Sequence, residues 1–380
     1  MPFIRVLAAC LLLLFTAFAP PAQAEKPGKP LVIYLQPFGI PHGLFGRGGP
    51  FLCLHQHKVG TRLFWLDSTH LFAAFTVNTP CTLRNSAEPA VLRGLVFDTT
   101  TGVKIAQHDW TIDEVGGDFN VFPGPGASVV VKQGARLDFL DVLLHAKESG
   151  ELDTAPRGLW STPAHRTIPL LTADGRVYEF YAADPLRLLN RISLDASDDV
   201  RAVKEWIAGD ERIAGSLCTD KSQYSCTRIL VETPDAKFLD RDGAPWSYAE
   251  TEKPVALAPL GFLDATHLVI TREDKNFFHD AQMLIVTPTG ARIQLPPIGS
   301  FYPRRLAGVS GNRFGIEMYA LGSCANCIVA NEFVVAEPDT RKFLFEERGT
   351  PYMSVGELSP DGKWMAILDN DMILFYPMPQ

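Results

Sequence analysis

The chain has 380 residues, with 43 acidic side chains against 35 basic ones and a formal net charge of −8. The charges are interspersed and form no basic stripe, so neither nucleic acid nor an anionic membrane surface is an expected partner. The length accommodates two ordinary domains or one large all-β domain.

The first 24 residues read as a leader. Arg5 supplies a short positive start, Val6 to Phe18 is almost wholly apolar, and Pro20 and Pro21 end the run. Ala22-Gln23-Ala24 then offers a small-x-small cleavage site, so the expectation is a secretory signal peptide with the mature chain starting at Glu25. Leu7-Ala8-Ala9-Cys10 also matches a lipobox, but cutting there would leave an apolar core of about six residues, short of the roughly 7–15 needed. No later stretch approaches the roughly 18 apolar residues of a spanning helix. Residues 25–30 read as a linker, and a periplasmic or extracellular address follows.

From there on, β-rich runs alternate with turn residues, the pattern of a sandwich, barrel or propeller. A repeat decides among them. An apolar strand, a polar turn and a second strand opened by a basic residue recur in Leu95–Ile105, Ile229–Phe238, Leu284–Ile293 and Phe333–Phe343. Their turn residues stand at 102, 236, 290 and 340, so the later copies are 54 and 50 residues apart and the first gap has room for two more. Weaker copies fill that gap, Phe139 to Ala146 running into Gly150 and Val177 to Tyr181 running into Pro185. A seventh strand, Met372 to Pro377, has no hairpin partner after it, and Leu31 to Leu35 is a strand with no hairpin of its own. Pairing these two closes a ring of seven sheets and leaves few exposed edges.

A second repeat supports the first: Phe64-Trp-Leu-Asp67-Ser-Thr-His70 parallels Phe262-Leu-Asp264-Ala-Thr-His267. Because the unit recurs, Asp67 with His70 and Asp264 with His267 are expected to hydrogen-bond within their blades rather than to catalyse. One segment departs from the β pattern. Asp198 and Asp199 open it, Val200, Val203, Trp206 and Ile207 follow at helical spacing, and Gly209 ends it, which predicts a short helix over 197–209. The expected architecture is therefore all-β: a seven-bladed β-propeller over residues 31–380, closed by its N- and C-terminal strands and carrying one short helix.

In the last blade, Gly356-Glu-Leu-Ser359-Pro360-Asp361-Gly362-Lys-Trp-Met-Ala-Ile-Leu-Asp resembles the WD40-like repeat of TolB-type bacterial propellers. The resemblance implies a tight turn between the two inner strands, where proline presets φ and Asp-Gly supplies the reversal. It speaks for fold and is nearly silent on function.

Loss of Cys10 with the leader leaves Cys53, Cys81, Cys218, Cys226, Cys324 and Cys327, an even number that suits disulfides in an exported chain. Proximity suggests the pairs 53–81, 218–226 and 324–327. Cys324-Ala-Asn-Cys327 also matches a redox dithiol or half a zinc site, the other half being Cys218 and Cys226; haem attachment is excluded because Ile328 stands where histidine is required. His55 and His57 lie two apart, a spacing that puts both imidazoles on one face of a strand, and His42 lies upstream, which makes these three the metal candidates. Two further stretches read as charged loops on a propeller face: one carries Phe277 and Phe278, and the other carries Arg304 and Arg305, a pair able to grip a carboxylate or phosphate. No Gly-x-Ser-x-Gly elbow, Walker loop, dinucleotide fingerprint or His-Glu-x-x-His motif is present. The expectation is an exported binding or scaffold propeller for a protein, peptide or glycan, with no cofactor. The alternative is a hydrolase or lactonase-like propeller with a divalent metal in its central channel.

Overall fold

A computed structural model describes residues 28–40, 61–77, 90–112, 119–159, 166–183, 185–193, 202–209, 211–218, 226–232, 246–249, 255–274, 281–297, 301–321, 328–349 and 354–379. The strands form seven four-stranded antiparallel sheets, each consecutive in sequence except the last. Blade 1 holds Arg62–Trp65, His70–Thr76, Ala90–Asp98 and Val103–Ile112. Blades 2 to 6 follow in order and start at Phe119, Gly158, Ala202, Val255 and Phe301. Blade 7 holds Ser354–Leu358, Trp364–Asp369 and Met372–Pro377, and its outer strand is Leu31–Tyr34 from the other end of the chain. That pairing is antiparallel, with Leu31 opposite Phe375 and Tyr34 opposite Met372. The first strands of blades 4 to 7, 1 and 2 touch in succession along the inner wall of the ring, and the repeated hairpins are the third and outer strands.

Strand alternation makes the ring cohere. Successive side chains point to opposite faces, so Leu63 and Trp65 pack toward Ala366, Leu368 and Phe375 of blade 7, while Phe64 and Leu66 pack toward Val121 and Val129 of blade 2. Phe333 and Val335 face blade 7 in the same way, while Val334 and Ala336 face blade 5. Each buried Leu or Phe of this kind contributes about 1.5–3 kcal/mol before entropy is counted. Every sheet is thus a shared layer between two cores, and the cores lie in the seams between blades.

The predicted helix over 197–209 is instead the first strand of blade 4, Ala202–Gly209, laddered against Arg212–Cys218. Its helical spacing has a physical source. The register slips between Val203 and Trp206, which face Leu217 and Gly215 across the ladder, so a bulge inserts one extra residue. An i,i+3 spacing across a bulge stands for the i,i+2 alternation of a regular strand. Among the described residues the helical structure is one 3-10 turn, Gln36–Phe38, and no helix is long and apolar enough to cross a membrane. A second correction concerns the copy at Ile229: its outer strand is Ser247–Ala249, and Lys237 and Phe238 lie outside the described residues.

Candidate functional site

The repeated Asp–Thr–His units are the turns from first to second strand in blades 1 and 5. In blade 1, Asp67 Oδ1 accepts hydrogen bonds from the Thr69 and His70 backbone N–H groups at 2.7 and 2.9 Å, and from the Thr69 hydroxyl at 2.9 Å. Its Oδ2 lies 2.8 Å from His70 Nδ1. Asp264 repeats every one of these contacts with Thr266 and His267, at 2.7, 2.9, 3.0 and 2.8 Å. Burial pushes the Asp67 carboxyl up, but the hydrogen bonds from His70 and Thr69 outweigh it and hold the group below the usual carboxylate range. The unit is a turn lock, as its recurrence implied.

The Ser-Pro-Asp-Gly turn of blade 7 works similarly. Ser359 Oγ donates to Asp361 Oδ1 at 2.7 Å and accepts from the Lys363 and Trp364 N–H groups at 3.1 and 3.0 Å. Sequence reading found no second copy, yet Thr172-Ala173-Asp174-Gly175 builds the same turn between the second and third strands of blade 3. Thr172 Oγ1 donates to Asp174 at 2.6 Å and accepts from Val177 N–H at 3.1 Å, and Gly175 N–H reaches Thr172 O at 2.8 Å. A threonine hydroxyl replaces the serine, and Ala173 stands where Pro360 does.

A different kind of constellation lies on the inner wall. Arg304 and Arg305 are not in a loop: they sit within Phe301–Ser310, the first strand of blade 6. Consecutive strand residues normally face opposite sides, yet both guanidiniums reach Glu317. Arg304 Nη1 donates to Oε1 at 3.0 Å and Arg305 Nε to Oε2 at 2.9 Å. A bulge allows it, because the ladder passes from Pro303–Met318 directly to Arg305–Glu317 and leaves Arg304 as the inserted residue. Arg305 then crosses to blade 7, donating to Glu357 Oε2 and to Gly356 O at 3.0 Å each. A second bulge between Leu306 and Val309 presses this strand against blade 7, where Gly308 has φ +90° and an added Cβ would lie 2.5 Å from Leu358 O.

The polar belt continues into blades 1 and 2. Trp65 Nε1 donates to Glu357 O at 3.0 Å. Arg62 donates from Nε and Nη2 to Asn120 Oδ1 at 3.2 and 2.8 Å, and from Nη1 to Thr61 O at 3.3 Å. All three acceptors are neutral oxygens. Burial lowers the Arg62 pKa first, and the nearby Arg305 and Arg304 charges lower it further. Burial would also lower that of Arg305, but Glu317 and Glu357 overcome it and hold the guanidinium above its ordinary value. Burial pushes the Glu357 carboxyl up to about 7 against the pull of Arg305, with Glu317 adding to the rise. Only 2% of the Glu317 side chain is exposed, whereas Arg304 keeps 59% of its own open.

Sequence reading missed Arg62, Asn120, Glu317 and Glu357. A signal for Arg62 existed: it lies five residues before Asp67, where the parallel copy has Pro259 before Asp264, so the repeat is kept in the turn and broken in the wall. Of the other predicted site residues, His42, His55, His57, Phe277 and Phe278 lie outside the described residues, as do Cys53, Cys81, Cys324 and Cys327. Cys226 and Cys218 lie opposite each other in the ladder. Among the described residues no group of three or more His, Cys, Asp and Glu converges as a metal site.

No family model and no curated protein matches the chain. Solved structures similar to it share little of its sequence. Kuenenia stuttgartiensis hydrazine synthase shares 13% identity over 83% of this chain and 94% of that one, with a TM-score of 0.48. The WD40 repeats of RRP9 share 9% over 86% and 96%, with a TM-score of 0.48. The WD40 domain of Toxoplasma gondii coronin shares 10% over 84% and 81%, with a TM-score of 0.46.

Proposed function

We propose that this protein is an exported binding propeller, periplasmic or extracellular, that presents its channel mouth to a protein, peptide or glycan partner. A seven-bladed propeller is consistent with a protein-binding scaffold. The observation that carries the proposal is a local excess of positive charge on the inner wall of an acidic chain. Among the described residues, Arg304 and Arg305 pair with Glu317 and Glu357 while Arg62 bonds neutral oxygens, and Arg304 uses one of its donors while most of its side chain stays open. The donors that Arg304 keeps open suit a carboxylate or phosphate of a partner. The leader expected over residues 1–24 supplies the export step.

Two measurements test this. The intact mass of the mature protein, recovered from its native host, is expected to correspond to a chain starting at Glu25. Immobilised wild-type and Arg304→Glu proteins, exposed to the same host extract, are expected to differ by a species that only the wild type retains. If both proteins retain the same species equally, the contact surface lies elsewhere on the ring.

A further inference from the structure

We infer that the outer strand of blade 7, Leu31–Tyr34, is a docking edge for the same strand of a second copy of this chain, paired antiparallel about a two-fold axis at Ile33. This goes beyond the binding proposal and does not depend on it, because it concerns the outer rim of the ring rather than the inner wall.

A strand at a sheet edge invites pairing unless charge, shortness or a cover discourages it. The outer strands of blades 1, 2, 3, 5 and 6 all carry charged side chains, among them Asp109, Glu148, Arg191, Arg292 and Glu347. That of blade 4, Ser247–Ala249, is three residues long, and its Tyr248 packs against a buried cluster. The outer strand of blade 7 reads Leu-Val-Ile-Tyr and has no charge at all. Six large apolar side chains are exposed among the described residues, and three of them lie in this one strand: Leu31 at 60%, Val32 at 39% and Tyr34 at 59%.

Backbone geometry sets the register. In an antiparallel ladder, residues alternate between those whose N–H and C=O point at the neighbouring strand and those whose groups point away. Leu35 N–H donates to Asp371 O at 2.7 Å, and the same ladder sets Tyr34 opposite Met372 and Val32 opposite Leu374. Leu31 and Ile33 therefore point inward with Leu35, while Val32 and Tyr34 turn their backbone groups to the outer edge, which no strand among the described residues covers. Setting Val32 of one copy opposite Tyr34 of the other satisfies both, with about four backbone hydrogen bonds around the axis.

Side chains agree with that register. Ile33 packs into the seam with blade 1, so Val32 and Tyr34 share the opposite face. The pairing then sets each valine beside a tyrosine, a favourable cross-strand combination, and opposes no like charges. It also carries the exposed Lys29 alongside the turn of the second copy, where Gln36 is hydrogen-bonded to Asp371, so each copy brings a cation toward the other's carboxylate. A lipid surface would cover the apolar side chains but leave the edge N–H and C=O groups unsatisfied; a second strand answers both. Two-fold pairing uses up the edge and closes the assembly at two copies. A four-residue strand covers less than the roughly 1,000 Å² of a stable interface, so the association is weak and depends on concentration.

The experiment is sedimentation velocity over a rising concentration series of the chain from Glu25, as wild type and as two double variants, Val32→Lys with Tyr34→Lys and Val32→Glu with Tyr34→Glu. Wild type should pass from monomer to dimer. Each variant alone should associate at least about tenfold more weakly, since like charges then lie opposite each other. An equal mixture of the two should recover the dimer, because lysine lies opposite glutamate; that recovery also shows that both variants fold. Wild type that stays monomeric at its highest soluble concentration overturns the inference, and so does undiminished dimerisation of either variant. A mixture that associates no better than its parts, while both variants melt like the wild type, overturns the register. Monomeric wild type that floats with neutral phosphatidylcholine vesicles overturns it too, and assigns the edge to a lipid surface. None of these outcomes involves Arg304 or a host extract, so they are separable from the retention experiment.

Discussion

The molecule holds two kinds of acid–base pairing, and they differ in whether they repeat. Asp67 with His70 and Asp264 with His267 occupy equivalent turns, and corresponding contacts agree to within about 0.1 Å. The belt of Arg62, Arg304, Arg305, Glu317 and Glu357 occurs once among the described residues and joins blades 6, 7 and 1. A device that every blade could use is spent on folding, since each blade faces the same problem of turning a strand back. A device seen in one part of the ring among the described residues answers a demand that the repeated fold itself does not make.

The largest effect expected from breaking this contrast is at Arg305. Arg305→Ala leaves Glu357, 17% exposed, without its cation and Glu317, 2% exposed, with Arg304 alone. Removing one partner of a buried ion pair costs about 3–5 kcal/mol. Urea denaturation should show a loss of that order, and a loss below about 1 kcal/mol would mean that Arg305 does not hold the seam between blades 6 and 7.

The next effect is a dependence on pH. Glu357 is pushed up to about 7, and Glu332 is raised too, by burial and by the neighbouring Glu346. A raised carboxyl keeps a proton in the folded chain that the unfolded chain has released. Stability should therefore fall as pH rises from about 4.5, the Glu357 part ending near pH 7 and the Glu332 part near pH 8. Glu357→Gln, which has no proton to lose, should show a shallower decline in urea midpoint between pH 5 and pH 8 than the wild type. An unchanged slope would place the proton elsewhere.

Sequence and structure agree where information is local. The hairpins of Leu95, Leu284 and Phe333 were legible because alternation and turn residues lie within a dozen positions, and the closing pair was legible because each terminal strand lacked its neighbour. The bulges were not. At Val203 a bulge imitated a helix, and at Arg304 it put two consecutive arginines on one carboxylate, which neither helical nor strand periodicity predicts. The wall belt was invisible for another reason: Arg62 and Arg305 are 243 positions apart in the chain, and only ring closure brings them near each other.

The turn locks set the smaller effects. Asp67→Ala and Asp264→Ala each remove an acceptor of two backbone N–H groups, much as loss of a helix N-cap does, at about 1 kcal/mol. The blades they serve are far enough apart for the two losses to add within about 0.5 kcal/mol in urea denaturation. If one loss far exceeds the other, the equivalence of the two turns fails and one Asp–His pair has a role beyond its blade.

The smallest effect tests whether the blade 3 turn is the blade 7 turn in other residues. Pro360 follows Ser359, and Ala173 follows Thr172, in turns whose hydroxyl–Asp and Gly N–H contacts coincide. If the backbone is the same, Ala173 already has the φ that proline would impose, and no hydrogen bond uses its N–H. Ala173→Pro then costs nothing in the folded chain and removes freedom from the unfolded one, a gain of about 0.4–1 kcal/mol. Because the blade 3 turn joins second to third strand rather than first to second, success would show that the turn chemistry is portable between the two faces of the ring. A loss of stability instead would mean that the hydrogen bonds converge on the same pattern from a different backbone, and that the Ser-Pro-Asp-Gly turn belongs to blade 7 alone.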